Sequence, residues 1–471
     1  MKVAIVGATG FVGRFLIHEL LQSTDFDVIA LSRRKLTSKE ERIECRQADI
    51  YSLLQVEKAI FDCDVAVYLV HSMAPAARLA QGGFQDFDYI LADNFIRAAQ
   101  SCALKKIIYV GGIIPKKGKL SPHLKSRLEV EKIFTSSKIS TLNLRCALVI
   151  GPQGSSFDIL IKLIKRLPIM LLPKWMATKM QPISVYDLVK ILRISIEKPD
   201  FEGTYNAHGK DVLSYRQLVL SVAKKLKKKI FVINFPFNFF VLSKFWVRSI
   251  SGKSKELVYP LIESVIHDMT GKSQSKKIPE SIYSEYRCYE ALVQESLMGQ
   301  LPSDFWKKAH ETSLKEEFLV KSVQRLCLPF GWSADKLSRF YLKWLSRWGG
   351  ALIDVHTNGN KAYFKILFVK KPLLILELSL SRSQRGRPLF YILGGVLDAD
   401  VTEGRLEFRE SYHKLFVIAA IHNFKPSLPW WLYRVTQAPI HKYVMKRFNK
   451  DLKKIDALRK KRLQAKESRL I

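Results

Sequence analysis

Apolar and polar positions alternate along the chain with two different periods, one in each half. Short, largely apolar runs at Val3–Val6, Val28–Leu31, Asp64–Val70, Lys105–Ile113 and Thr141–Pro152 read as buried strands. Helical patterns lie between them, such as Val12–Leu21, where Val12, Leu16 and Leu20 share one face, and a long helix through Asn94. Strands that alternate with helices predict a doubly wound parallel sheet, hence an α/β fold. From about Ala351 the period changes. Five or six strands joined by short turns, Asn358-Gly359 among them, predict an antiparallel sheet. Helical segments precede it, and a long helix from about Pro429 closes the chain.

A chain of 471 residues, 48% of them hydrophobic, exceeds the roughly 250–300 residues at which single cores stop growing. Two domains are expected, at 1–272 and 285–471. The stretch 273–284, overlapping the polar "TGKSQSKKIPES" of 270–281, is the expected linker. The 77 basic residues outnumber the 43 acidic ones, for a net charge of +34, and they are spread along the whole length. That spread argues against a nucleic-acid site, which would gather them on one face, and leaves peripheral contact with an acidic membrane open. The densest run, Lys446–Ile471, is basic all round with a weak seam of Leu452, Ile455, Leu458 and Leu463, so it reads as a solvated helix. The most apolar stretch, Ile230–Trp246, falls short of the roughly 20 residues of a membrane span and is broken by Asn234, Pro236 and Asn238. Core packing is the favoured reading, and an interfacial membrane contact is the alternative. The six cysteines show no metal-ligand spacing, and a buried strand starts at the second residue. A cytoplasmic protein without signal peptide, disulfide framework or metal is expected, with peripheral contact at the inner membrane face left open.

The candidate chemistry begins at Gly7-Ala8-Thr9-Gly10-Phe11-Val12-Gly13, a GxxGxxG turn between a strand and an amphipathic helix. Glycines there allow a tight turn and close approach of a pyrophosphate, which lies on the helix N-terminus. Arg33 stands twenty residues after Gly13, with Arg34 beside it, where an NAD site would carry an acid. Guanidinium groups match a 2′-phosphate, so NADP(H) is favoured over NAD(H). Ala48-Asp49-Ile50, after a presumed third strand, resembles the acid-plus-apolar pair that flanks the adenine in the superfamily these segments resemble.

These segments, with "NFIRAAQSCALKKIIYVGGI", "LRCALVIGP", "QPISVYDLVKIL" and "GTYNAHGKDVLSYRQLV", resemble the short-chain dehydrogenase/reductase superfamily in its atypical or extended, NmrA-like branch. The resemblance implies a Rossmann domain holding a nicotinamide dinucleotide. "YLVHSM", "SPHLKSRLEVE", "RLPIMLLPKWM" and "PLIESVIHDM" resemble a bacterial two-domain group that joins this fold to a C-terminal domain of unknown function. The antiparallel strands with one long helix resemble the helix-grip (SRPBCC) fold, whose members hold apolar ligands.

The chain departs from the superfamily where a Ser, Tyr and Lys should stand. Gly111-Gly112 ends the strand, and the next helix carries His123 and Arg127 four residues apart, on one face. Ser121 and Pro122 read as its cap and first turn. A cation and a helix N-terminus favour a neutral imidazole at His123, able to polarise a carbonyl, while Arg127 would orient the nicotinamide ribose. His71 is a second polar group at the same sheet edge. Three readings stay open: an oxidoreductase on a small, apolar carbonyl or hydroxyl substrate, a non-catalytic cofactor sensor acting through a protein partner, and a basic scaffold at a membrane or nucleic acid.

Overall fold

The computed structural model describes residues 1–71, 79–116, 118–235, 237, 240–271, 275–302, 305–307, 319–350, 353–366, 369–398 and 404–467. The chain divides into two compact units, Met1–Ala74 with Leu91–His310, and Pro75–Ile90 with Glu311–Ile471.

The first unit is built on an eight-stranded sheet in the order Lys276–Lys277, Gly203–Ala207, Ser140–Cys146, Lys106–Gly112, Val65–Tyr68, Lys2–Val6, Asp27–Ser32 and Ile43–Gln47. Every pairing is parallel. Strands covered by helices on both faces need apolar residues on both, and Val3, Ala4, Ile5 and Val6 are all fully buried. The Lys2–Val6 strand sits at the switch point, because the chain leaves it in opposite directions to reach its two neighbours.

The expected domain border is displaced. Lys276 and Lys277 pair with Tyr205 and Asn206 at the edge of the parallel sheet. Further on, buried Asp187 accepts from the Tyr283 hydroxyl (2.9 Å), from the Arg287 backbone (3.0 Å) and from the Arg287 guanidinium. The helix Tyr289–Met298 packs Leu292 and Val293 into a core of this same unit. Polar composition suggested a linker, but a buried carboxylate ties that stretch down. Residues 273 and 274 of the expected linker lie outside the described residues.

The second unit holds seven antiparallel strands in the order Ile353–Asn358, Lys361–Ile366, Leu374–Leu378, Leu389–Gly394, Arg405–Glu410, Phe416–Phe424 and Val320–Cys327, with Leu79–Gln81 added in parallel at the end. Val320–Cys327 lies in a segment expected to be helical. The first hairpin turns on Gly359 and Asn360, one residue later than expected, with Gly359 at φ 57°. The terminal helix breaks at Thr436 into Trp430–Val435 and Gln437–Glu467. Its seam divides. Phe448 and Leu452 are fully buried against the sheet, whereas Leu458 is exposed among the lysines. Residues 468–471 of the basic tail lie outside the described residues.

Ile230–Trp246 is only partly core. Phe231–Phe235 is a strand paired in parallel with Ile169–Pro173 in a separate two-stranded ribbon, and Phe240–Ser251 is a helix. Val232 and Trp246 pack inward, while Phe231, Ile233 and Phe245 are exposed.

Candidate functional site

The glycine loop has the close backbone packing its spacing requires. Gly7 sits at φ 102°, and a Cβ on Gly13 would lie 2.4 Å from the Gly7 carbonyl oxygen. Gly10 caps the helix Phe11–Ser23 and donates to Gly7 O at 2.9 Å. Phe11 and Val12 pack against the core, so the loop offers its backbone and the exposed Thr9 side chain. The first-turn N–H groups of such a helix lack intrahelical acceptors and form a ready anion site.

Arg33 and Arg34 follow the Asp27–Ser32 strand and are exposed. Their loop is shaped by Arg34 N donating to Ser32 Oγ (3.1 Å) and Gln47 Nε2 donating to Arg33 O (3.0 Å). Asp49 accepts from Tyr51 N at 3.0 Å while its own N–H reaches Gln55, a turn that leads into the helix Leu53–Ile60. Ile50 is buried, and its carbonyl accepts from buried Asn94 at 2.9 Å. Asn94 is therefore the positioning residue for this loop. A lone amide on an apolar helix face was the signal for it.

The helix Pro122–Thr135 starts as its sequence predicts, with Pro122 in the first turn and Ser121 Oγ accepting from Leu124 N at 3.2 Å. Four-residue spacing places His123 and Arg127 on the same flank, but at different depths. His123 is partly exposed. Arg127 is 2% exposed, with its Cγ 3.7 Å from where a Cβ on Gly112 would stand. His71 and His123 have ring centroids 6.3 Å apart, so the structure does bring the two histidines together. His123 Nδ1 lies 3.1 Å from Ser264 Oγ, and Ser264 donates to Pro260 O at 2.9 Å. Ser264, which the sequence reading missed, closes a small polar cluster with Ser121 (Oγ–Oγ 3.1 Å).

This cluster edges a cavity of about 360 Å³. Gly112, His123 and Ser264 line one part of it. Met170, Trp175, Leu218, Phe235, Trp246 and Val247 make much of the rest. Cys146 also lines it, its thiol pushed up to about 12 by burial. A deep apolar chamber with few polar groups suits an apolar ligand held by one end. Among the described residues no cluster of His, Cys, Asp and Glu could hold a metal ion, and no helix is long and apolar enough to cross a membrane.

A parallel sheet with a glycine loop at its switch point and loops gathered at the carboxyl ends of its strands defines a dinucleotide-binding Rossmann domain. Residues 7–133 match the model of NAD(P)H-binding proteins. Auxiliary protein GraX of Staphylococcus aureus is 34% identical over 113 residues, which are 24% of this chain and 36% of that protein. An NmrA-like family domain-containing protein of Dictyostelium discoideum is 25% identical over 163 residues, covering 32% of this chain and 50% of its own. The chain thus spans about a third to a half of the length of these curated relatives. Among solved structures, a triphenylmethane reductase from Citrobacter sp. aligns over 63% of this chain and 99% of its own, at 16% identity and a TM-score of 0.47. A nucleoside-diphosphate-sugar epimerase from Staphylococcus aureus aligns over 63% and 100%, at 14% identity and a TM-score of 0.49. Over residues 7–133, which lie in the parallel-sheet unit, the chain is thus similar to NAD(P)H-binding proteins.

Proposed function

We propose that this protein is an NADP(H)-dependent oxidoreductase acting on a small, apolar carbonyl or alcohol. The observation that carries the reading is the apolar cavity whose polar rim is made by His123, Ser264 and the Gly112 end of a central strand. The glycine loop would hold the pyrophosphate, Arg33 and Arg34 would grip a 2′-phosphate, and Asp49 with Ile50 would flank the adenine. When bound, the nicotinamide gives or takes the hydride. His123 handles the proton. Ser264 spends its hydroxyl hydrogen on Pro260, so a neutral His123 carries its own hydrogen on Nδ1 and keeps Nε2 basic. Such a ring takes the proton of an alcohol during oxidation, and its protonated form returns one to a carbonyl during reduction. Arg127, buried beside Gly112, would add positive charge on the side of the cofactor's ribose, and His71 would add a second polar group at the edge.

NADPH oxidation against a panel of apolar aldehydes and ketones tests the reading. His123→Phe should retain NADPH affinity while turnover drops ~10²–10⁴-fold, the usual share of a general acid or base. Unchanged turnover in that variant overturns the assignment. A second reading, a cofactor sensor that works through a protein partner, is favoured by the missing Tyr and Lys and by the similarity to a protein named as auxiliary. It predicts NADP(H) binding with no turnover of any substrate in the panel. For the second unit, the packing of Phe448 and Leu452 against the antiparallel sheet supports the helix-grip reading. Six cysteines that form no disulfide support a cytoplasmic location.

A further inference from the structure

The wall of the apolar cavity has an outer face that is also apolar. In the ribbon, Met170 and Leu172 are buried and Met170 lines the cavity, while the alternate positions turn exposed side chains outward, Leu171 among them although it also borders the cavity. Those outward residues pair directly across the two strands, Ile169 with Phe231 and Leu171 with Ile233, and they are 54%, 68%, 46% and 40% exposed in that order. The helix Phe240–Ser251 repeats the arrangement at helical spacing. Ser243, Trp246 and Val247 line the cavity, and Val241 and Phe245, one turn apart on the other face, are 83% and 61% exposed. Phe237, between strand and helix, is exposed as well. An apolar face of this extent on a folded unit marks an interaction surface.

Its border is basic. Lys227, Lys228 and Lys229 lead into one ribbon strand, Lys165 and Arg166 precede the other, and Arg248 lies one turn beyond Phe245 on the exposed side of the helix. A second copy of this chain would bring the same cations against them, in a protein that already carries a net charge of +34. A surface with negative headgroups over an apolar interior complements both the patch and its rim. We propose that this face docks on an anionic lipid bilayer, inserting the ribbon and helix at the headgroup level. The ribbon and helix that meet the bilayer also supply Met170, Leu171, Phe235, Trp246 and Val247 to the cavity lining. The surface stands independently of the proposed reaction, although it supplies a route by which an apolar substrate reaches the site.

The test is flotation of the full chain with vesicles of phosphatidylcholine alone, and of phosphatidylcholine containing phosphatidylglycerol. Binding is expected to the second at low salt and to weaken steeply as salt screens the lysines. The double variant Val241→Glu with Phe245→Glu should lose at least ~10-fold in vesicle binding, because it sets carboxylates in the inserting face. NADP(H) affinity should be unchanged, which shows that the unit still folds and separates this outcome from failure of the proposed activity. If that variant fails to fold, Phe245→Trp keeps the question open to measurement, since its emission should shift to the blue on adding anionic vesicles. Absence of flotation with either vesicle overturns the proposal. So does equal binding by the double variant, which would mean charge attraction without insertion. A wild type that self-associates and a double variant that is monomeric would assign the face to a second copy instead.

Discussion

Charge is buried in both units, but with opposite consequences. In the antiparallel sheet Glu407 is fully buried, and its oxygens meet Arg409 at 2.8 Å, Arg387 at 3.0 Å and His422 at 3.1 Å. Against the cost of burial, Arg409, the His422 contact and Arg387 hold its carboxyl well below the usual carboxylate range. In the parallel sheet the buried lysine, Lys106, sits at the start of its strand and donates to Ser195 O (2.9 Å) and Lys198 O (2.6 Å) near the end of a helix. Burial lowers that amine to about 8. In each case protein groups answer the charge. At the carboxyl end of the parallel sheet, by contrast, His123 borders a cavity and Arg33 and Arg34 face solvent. Buried charge alone therefore marks architecture. Charge held at a strand edge beside an open chamber marks the site.

The contrast breaks most sharply at Glu407. Glu407→Ala leaves two arginines buried without their carboxylate, and removing one partner of such a set costs about 3–5 kcal/mol. Hydrogen exchange should show the loss in the antiparallel strands, with NADP(H) affinity intact. A loss below about 1 kcal/mol would mean that the network is not structural.

Next in size is an acid sensitivity of the same unit. Burial lowers His441 to about 4, while its Nδ1 lies 3.0 Å from Gln81 Oε1. The unfolded chain, with histidine near 6.5, binds the proton first, so this stabilisation is present above 6.5 and is lost as pH falls toward 4. It amounts to at most about 3 kcal/mol. Burial lowers His422 too, which adds to the effect in the same direction. Urea titrations from pH 7 to pH 4 should show the antiparallel unit weakening, and His441→Gln should flatten the slope. An unchanged slope would place the acid sensitivity elsewhere.

The same physics explains what the sequence could reveal. Strands buried on both faces must be apolar throughout, so the parallel sheet showed itself in runs such as Val3–Val6. Glycines forced by backbone contact, as at Gly13, and a cap such as Ser121 are local and equally readable. Val320–Cys327 was hidden because "VKSVQRLC" interleaves charge with apolar residues in no clean period, and its pairing with Phe416–Phe424 lies far off in sequence. The tie of Tyr283 and Arg287 to Asp187 is invisible for the same reason. Ser264 and the cavity were missed because the runs that build them are apolar on both sides. Periodicity cannot say which residues of Phe231–Phe235 border a chamber and which face outward.

The smallest effect tests the other half of the comparison, the charges left for a ligand. Arg33 and Arg34 stand at the end of the second strand, exposed, and among the described residues their guanidinium groups show no acidic partner. Arg46, in the adjacent strand, is instead held by Glu44 (2.6 Å) and Asp62 (2.5 Å), so the local acids are already engaged. A charge-assisted contact to a 2′-phosphate contributes about 1.5–3 kcal/mol. Arg33→Ala should therefore weaken NADPH binding roughly 10- to 150-fold while leaving NADH binding nearly unchanged. Because the side chain is exposed, folding stability should move by less than about 0.5 kcal/mol, which separates a binding role from a structural one. Calorimetric titration of both cofactors gives the answer. Equal losses for NADPH and NADH would mean that Arg33 senses the pyrophosphate or the fold. No loss for either would leave the cofactor preference resting on Arg34 alone, which the same titration of Arg34→Ala decides.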